Sequence, residues 1–427
     1  MAFIIKGIII TCNASKKLVI YNPGFMVVND QGTIQEITTA DPHLSYPGYT
    51  FLDHSNHLLI PGLVDLHNHL PQFAYAGLGA GQLLEWLATY TFPREQQFAD
   101  PAIATTAAEQ FFSSLVAAGT TTTVTYVTVH EQATDIAFAA AEATGIRAII
   151  GKVMMDQQAP IPLQENTELS LSATEQLIKK WHRKNNKLFY AVTPRFAITC
   201  SAKLLTKSAE LAQKYDTYLQ THLSENLDEI AAVKRLFPHA KHYTDVYHQA
   251  GLLGPKTIMA HCIYLSPEEQ KILHDTQTAT AHCPTSNRFV MSGIMPVRYY
   301  VNVNMRIGLG SDVAGGYSLS MLHELRECLE NSKTLAVFDA THPTPLTLEE
   351  GFYLATLGGA AALGLDATIG SLEAGKAADF VVLDPQIADP YVWKNTYHEP
   401  CQLLDKCIYA TLGNPVIATY VQGEKLT

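Results

Sequence analysis

The 427-residue sequence has no excess of basic charge. Lys and Arg together number 29 against 40 Asp and Glu, so the net charge is −11 at pH 7. An acidic protein repels the phosphate backbone of nucleic acids, which makes a nucleic-acid polymer a poor partner. A single free base carries no phosphate and remains compatible with this charge.

Closely spaced cysteines are also missing. The seven cysteines are scattered and odd in number: Cys12, Cys200, Cys262, Cys283, Cys328, Cys401 and Cys407. Such a set does not indicate a disulfide framework. Because thiols stay reduced in the cytosol, we expect a cytoplasmic protein.

Long apolar runs are missing as well. The apolar segment from Ala2 to Cys12 is interrupted by Lys6 and is too short to span a bilayer. No basic region precedes it and no secretory cleavage pattern follows it. We therefore expect a β-strand there, and no membrane partner. Hydrophobic residues make up 47% of the chain, enough for a large core.

From residue 60 onward, apolar β-branched runs alternate with longer helical segments. Eight runs are predicted strands: 60–65, 121–127, 147–153, 188–192, 217–220, 257–260, 278–281 and 306–309. Predicted helices between them include 103–118, 133–143, 202–215 and 227–237. This alternation indicates a parallel sheet, and eight repeats indicate a closed barrel.

The predicted fold is therefore α/β, with a (β/α)8 TIM-like barrel over residues 61–362. Both ends of the chain consist of short β-like runs. We expect residues 1–60 and 363–427 to pair into one small β-sandwich domain beside the barrel.

Polar side chains come at or just after the ends of several predicted strands. They are His67 and His69 after the first strand, His222 and Glu225 after the fifth, His261 after the sixth, His282 after the seventh and Asp312 after the eighth. The carboxyl ends of barrel strands gather on one face, where active sites lie. The sequence therefore predicts that these residues share a pocket.

His67 and His69 are two positions apart, and side chains at i and i+2 of a strand point the same way. Alone, this pair could equally be two polar residues on a wet strand face. A third imidazole at His222 and a carboxylate at Asp312 favour a metal, and we predict these four residues as ligands. The set suits Zn²⁺, and also Fe²⁺ or Mn²⁺. Such an ion lowers the pKa of bound water to about 7.

Two more residues are predicted to move protons or polarise the substrate. Glu225 is predicted to be a proton shuttle; the alternative is an exposed acid in the first turn of the next helix, where negative charge is favoured. His261 is predicted to orient the water or polarise the substrate; the alternative is a buried structural histidine.

Several motifs resemble a known family. Residues 61–69 read Pro-Gly-Leu-Val-Asp-Leu-His-Asn-His, which resembles the signature of the amidohydrolase superfamily. Together with 69–72, 84–87, 90–93, 193–196, 224–226 and 312–317, it is similar to the guanine deaminase family over residues 58–385. The resemblance implies one catalytic Zn²⁺ per chain, with Fe²⁺ possible, and a homodimer.

The resemblance also implies a purine pocket. Gln72 and Arg195 recognise the polar edge of guanine, Phe196 packs on its ring, and Trp86 closes the pocket. An amide donates and accepts hydrogen bonds, a guanidinium donates to O6 and N7, and an aromatic face covers a base. The alternatives are a surface ion pair for Arg195 and ordinary core packing for Trp86.

The function implied is hydrolytic deamination of guanine to xanthine and ammonia. Water attacks C2, Asp312 takes its proton with help from His261, and Glu225 protonates N3 and then the leaving amine. One alternative is a deaminase of another aminated heterocycle, such as 8-oxoguanine, a triazine or an adenosine derivative. Another is a non-catalytic scaffold of the same fold, although such relatives usually lose metal ligands and here the set is complete.

Overall fold

The computed structural model describes residues 1–79, 81–341, 343–388, 399–409 and 413–427. Its strands are β1 (Phe3–Cys12), β2 (Leu18–Val28), β3 (Ile34–Thr38), β4 (Thr50–Pro61), β5 (Leu63–His69), β6 (Thr120–Tyr126), β7 (Arg147–Gly151), β8 (Val153–Met154), β9 (Leu188–Pro194), β10 (Tyr218–Leu223), β11 (Thr257–His261), β12 (Ala279–His282), β13 (Ile307–Leu309), β14 (Phe380–Leu383), β15 (Val416–Val421) and β16 (Glu424–Lys425).

The α-helices in the described residues are α1 (Leu83–Trp86), α2 (Phe92–Glu95), α3 (Pro101–Ala117), α4 (Glu131–Thr144), α5 (Thr167–Trp181), α6 (Ala202–Tyr215), α7 (Leu227–Leu236), α8 (Tyr243–Gln249), α9 (Pro267–Asp275), α10 (Pro284–Phe289), α11 (Val297–Asn302), α12 (Met321–Phe338), α13 (Leu348–Ala355), α14 (Leu357–Ala362), α15 (Pro385–Ala388) and α16 (Pro400–Ile408). A π-helical turn, Leu87–Thr91, joins α1 to α2. None of the helices in the described ranges combines the length and apolarity needed to cross a membrane.

Eight parallel strands form the barrel, in the hydrogen-bonded order β5, β6, β7, β9, β10, β11, β12 and β13. The ring is closed beyond the end of β13. There the backbone N–H of Asp312 donates to the carbonyl of His67 at 2.7 Å, and the N–H of His69 donates to Val313 at 3.0 Å. The predicted (β/α)8 barrel is confirmed.

The first barrel strand begins later than predicted, at Leu63 rather than residue 60. Pro61 ends β4, which belongs to the other sheet. At Gly62, a Cβ atom would come within 2.1 Å of Oγ1 of Thr121, so the chain passes between the sheets where only glycine fits. The strand continues to His69, so His67 and His69 lie at its carboxyl end, as the i, i+2 spacing requires.

The second sheet joins both ends of the chain, in the order β16-β15-β14-β4-β1-β2-β3. The segment before β3 also contacts the segment before β14, because Thr33 forms an isolated bridge with Ala377. Phe3, Phe380 and Tyr420 belong to the apolar cluster that the sheet carries. The predicted pairing of the two chain ends is confirmed, and the domain limits at residues 60 and 362 stay predictions.

Polar contacts fix this sheet to the barrel. Nη2 of Arg147, on β7, donates to Oδ2 of Asp379 at 3.2 Å, and both side chains are buried. The other Asp379 oxygen accepts from the backbone N–H of Gln422 at 2.7 Å. Because a buried charge needs its partner, this pair sets how the sheet sits on the barrel.

Candidate active site

Four histidines and one aspartate meet at the carboxyl ends of the strands. Nε2 of His67 and Nε2 of His69 lie 3.0 and 3.2 Å from Oδ1 of Asp312. Nε2 of His69 is 3.2 Å from Nε2 of His222, and Nε2 of His261 is 3.8 Å from Oδ2 of Asp312. All five side chains are buried. The structure thus brings the four predicted ligands together, with His261 beside them.

Burial disfavours the charged form of the three histidines predicted as ligands. It lowers the pKa of His69 to about 3 and also lowers the pKa values of His67 and His222. His222 has its Nδ1 2.7 Å from the carbonyl oxygen of Arg195. A neutral ring donates its proton there, which leaves the Nε2 lone pair facing the other histidines.

This arrangement fits a divalent cation. His67, His222, His261 and Asp312 offer ligand atoms that all lie within 4.8 Å of one another. In the described part of the chain, Nε2 of His67 and Nε2 of His261 have no hydrogen-bond partner. Burial acts to raise the pKa of Asp312, but the neighbouring imidazoles, that of His67 first, outweigh burial and hold this pKa well below its usual range. Neutral imidazole lone pairs and a carboxylate around one point are the ligands that Zn²⁺ and related ions use.

Glu225 lies beside this cluster as a buried acid. It precedes α7, whose first turn is capped by Asn226. Oε2 of Glu225 is 3.4 Å from Nε2 of His261, and Oε1 accepts a hydrogen bond from Ser292 at 3.1 Å. Burial, followed by the charges of Asp312 and Glu229, raises the pKa of Glu225 well above its usual range. The alternative of an exposed first-turn acid is therefore wrong.

A cavity of about 400 Å³, mouth included, opens onto these groups. Gln72, Trp86, Arg195 and Phe196 all line it, as predicted for the substrate pocket. The indole Nε1 of Trp86 donates to the carbonyl of Leu78 at 3.1 Å, which fixes the ring at the cavity wall. The ring centroid of Phe196 is 6.3 Å from that of His222.

Arg195 is buried rather than part of a surface ion pair. Its Nη1 donates to both oxygens of Glu95, at 2.8 and 2.7 Å, and Glu95 is completely buried. Nε2 of Gln72 donates to the same carboxylate at 3.2 Å. The surface alternative for Arg195 is therefore wrong. Losing one partner of such a buried pair destabilises a fold by about 3–5 kcal/mol.

Comparison with known proteins places this site in a family. The amidohydrolase family model matches residues 58–426. The chain belongs to the amidohydrolase family. Amidohydrolases are metal-dependent, in agreement with the cluster of histidines and Asp312.

Individual relatives agree with this assignment. The amidohydrolase is 41% identical to guanine deaminase of Escherichia coli, over 87% of this chain and 83% of the relative. It is 40% identical to human guanine deaminase, over 77% and 73% of the two chains. A solved guanine deaminase of C. acetobutylicum, with guanine bound in its active site, superposes with a TM-score of 0.94 at 35% identity over 100% of both chains. The predicted family resemblance is confirmed.

Asp65, within the amidohydrolase signature, ties the first barrel strand to the last. Oδ1 accepts from the backbone N–H groups of His67 and Ser311, at 3.1 and 3.0 Å. Oδ2 accepts from Asn68 Nδ2 at 2.8 Å and from Ser311 Oγ at 2.6 Å. The carboxylate thus holds the backbone next to His67 and next to Asp312. Sequence reasoning did not assign it a role, although it lies two residues before His67.

Residues of α10 were also missed. Asn287 Oδ1 is 2.9 Å from Nδ1 of His261, and Ser286 Oγ donates to Oδ2 of Asp312 at 2.6 Å. The buried carboxylate of Glu324 accepts two hydrogen bonds from Thr285 and so holds this turn. The signal available was position, because α10 directly follows the seventh barrel strand.

We expect Asp65→Asn to weaken metal binding about 10- to 100-fold, as loss of residues that orient ligands typically does. An amide cannot accept at both oxygens, so the strand ends carrying His67 and Asp312 lose a shared anchor. Metal content after dialysis against graded chelator measures this. Asp53→Asn is the control, because Asp53 is exposed and makes a similar local contact with Ser55. Metal retention like that of the parent protein would contradict the role assigned to Asp65.

Proposed function

We propose that this amidohydrolase hydrolyses guanine to xanthine and ammonia. The observation that carries the proposal is that proton-transfer groups and donors for the edge of a base line the same cavity. The proton-transfer groups are Glu225, His261 and Asp312, and the donors are Gln72 and Arg195. Similarity to guanine deaminases over most of the chain supports guanine as the substrate.

Recognition follows from the chemistry of the base. The O6 and N7 atoms of guanine are acceptors, and Arg195 has N–H groups beyond the one that Glu95 holds. Gln72 offers both a donor and an acceptor. Phe196 and Trp86 add apolar surface to cover the ring, which favours a flat heterocycle over a sugar or peptide.

We propose one Zn²⁺ per chain, with Fe²⁺ as the alternative, held by His67, His69, His222 and Asp312. A cation bound there supplies Lewis acidity, which brings the pKa of water to about 7. The geometry of Asp312 supports a double role. Its Oδ1 faces the imidazoles of His67 and His69, while its Oδ2 faces His261 and accepts from Ser286.

The reaction adds water at C2 and expels ammonia. Asp312 accepts the proton of the attacking water, and His261, 3.8 Å from Oδ2, stabilises that transfer. Glu225 enters protonated, because its pKa is raised by burial, and donates to N3 as the tetrahedral centre forms. It then takes up the proton held at Asp312 and delivers it to the leaving amine as the C2–N bond breaks. The proton of the new C2 hydroxyl passes to Glu225 as the C2=O bond forms, which restores the starting state of the acid. These groups act on charge that develops only in the transition state.

The direct test is incubation with guanine while xanthine absorbance and ammonia are followed. We expect both products in a 1:1 ratio, and loss of turnover after treatment with a chelator that Zn²⁺ then restores. A parallel panel of 8-oxoguanine, an aminated triazine and an adenosine derivative should release less ammonia per unit time. Faster turnover of another member of the panel would reassign the substrate, and no turnover of any would reject the proposal.

Glu225→Gln should lower kcat by at least about 10²-fold, since general acid catalysis is worth about 10²–10⁴-fold. The amide keeps the shape of the side chain but cannot give up a proton. Metal content should remain at one ion per chain, because Glu225 is not a proposed ligand. Asp228→Asn, an exposed change three residues further on, is the matched control. Turnover by Glu225→Gln at the parental rate would remove this residue from the mechanism.

We also propose that the chain acts as a homodimer in the cytoplasm. The homodimer is implied by the family resemblance, and the cytoplasmic location is supported by seven free cysteines. Light scattering after gel filtration should give twice the 46.9 kDa mass of one chain. A mass of one chain at micromolar concentration would contradict the dimer.

A further inference from the structure

Glu95 is a buried carboxylate next to the cavity without lining it. It ends α2 and is 0% exposed. Each of its two oxygens accepts a hydrogen bond from Nη1 of Arg195, and Oε1 also accepts one from Nε2 of Gln72. The cavity is lined by Gln72 and Arg195 but not by Glu95. Any effect of Glu95 on the substrate must therefore pass through these two neighbours.

We infer that Glu95 is a positioning residue that orients Arg195 and Gln72 and thereby makes the pocket selective for purines with an oxygen at C6. This inference rests on the proposed function and assigns selectivity within it to a residue outside the pocket.

The guanidinium of Arg195 is fixed on two sides. Glu95 holds Nη1, and the ring centroid of Phe92 lies 5.4 Å from Cζ. Because a guanidinium is planar and rigid, holding one nitrogen and one face sets the direction of the others. Nη2 and Nε make no hydrogen bond within the described ranges of the chain. They are the donors left for a substrate oxygen.

The amide of Gln72 is fixed in the same way. Its Nε2 donates to Glu95, and its Oε1 accepts from the backbone N–H of Ala314 at 3.4 Å. The two ends of an amide differ, so a rotated amide would present an acceptor where a donor stood. A carboxylate only accepts hydrogen bonds, so Glu95 pairs with the amino end of the Gln72 amide and not with its oxygen.

Selectivity for an oxygen at C6 follows because Glu95 fixes the direction of the Arg195 and Gln72 N–H donors. A 6-oxopurine satisfies them, whereas a 6-aminopurine brings its own donor against them and leaves buried N–H groups unpaired. Sites built to pair a polar group reject analogues that leave it unpaired. Glu95 also balances the charge of Arg195. This pair therefore adds no net charge to the pocket wall against which a neutral base binds.

The test compares Glu95→Gln with the parent protein, loaded with Zn²⁺, on guanine and on 2,6-diaminopurine, which has an amine at C6. We expect kcat/KM for guanine to fall about 10- to 100-fold, with most of the change in KM. The preference for guanine over 2,6-diaminopurine should fall as well, and metal content should stay unchanged. Glu85→Gln, an exposed change ten residues earlier, is the matched control. Parental KM and selectivity in Glu95→Gln would overturn the inference.

A second variant guards against misfolding. Glu95→Asp keeps the charge and shortens the side chain by one methylene group. Like Glu95→Gln, it should raise KM for guanine. In an Arg195→Met background, Glu95→Gln should have a smaller effect than in the parent protein, because only the contact of Glu95 with Gln72 is then left to lose. An additional loss as large as in the parent background would show that Glu95 acts elsewhere.

The proposed function and this inference fail in different ways. If the parent protein leaves guanine unchanged, the proposed function is rejected, and the inference is decided by crystal structures of the parent and Glu95→Asp. We expect the guanidinium of Arg195 to lie in a different position in the variant. An unmoved guanidinium would overturn the inference whatever the substrate.

Discussion

The closure of the barrel is the constraint on which the site depends. The backbone bonds from Asp312 to His67 and from His69 to Val313 join the last strand to the first. They bring a carboxylate next to two imidazoles that lie more than 240 positions earlier in the chain. Asp65 adds side-chain bonds across the same seam. The residues that close the fold are thus the neighbours of the residues proposed to hold the metal, and barrel geometry and site geometry are fixed by the same contacts.

Burial then determines the chemistry available at this seam. It disfavours charge on the imidazoles and leaves their lone pairs free for a cation, and it also raises the pKa of Glu225. The pKa values of the two carboxyl groups beside His261 are therefore pushed in opposite directions, that of Asp312 down and that of Glu225 up. A pair of acids whose environments push their pKa values apart provides an acceptor and a donor of protons at one pH. Because Asp and Glu have similar pKa values in water, the division comes from a difference in neighbours.

The sequence predicted the parts of this structure that follow from spacing. Alternating runs predicted the barrel, the i, i+2 spacing predicted that His67 and His69 face the same way, and strand order predicted that Asp312 would reach them. Gly62 shows where spacing fails, because the apolar run across it belongs to two different sheets, and the chain passes close to Thr121 where they divide. Glu95, Ser286 and Asn287 were missed for a related reason. Each acts through a partner distant in sequence, 100 positions away for Glu95 and Arg195, and 26 for Asn287 and His261.

Arg195 connects the two halves of the site. Its side chain faces the cavity and is held by Glu95. Its carbonyl oxygen accepts hydrogen bonds from Nδ1 of His222 and from the hydroxyl of Thr221. Tyr247 also links these two segments of the chain, because its hydroxyl donates to the carbonyl of His222 and accepts from the N–H of Ala197. A shift of the chain at the end of β9 therefore moves a proposed substrate donor and the orientation of a proposed ligand together. The proposed recognition of the substrate and the orientation of His222 thus depend on one backbone segment.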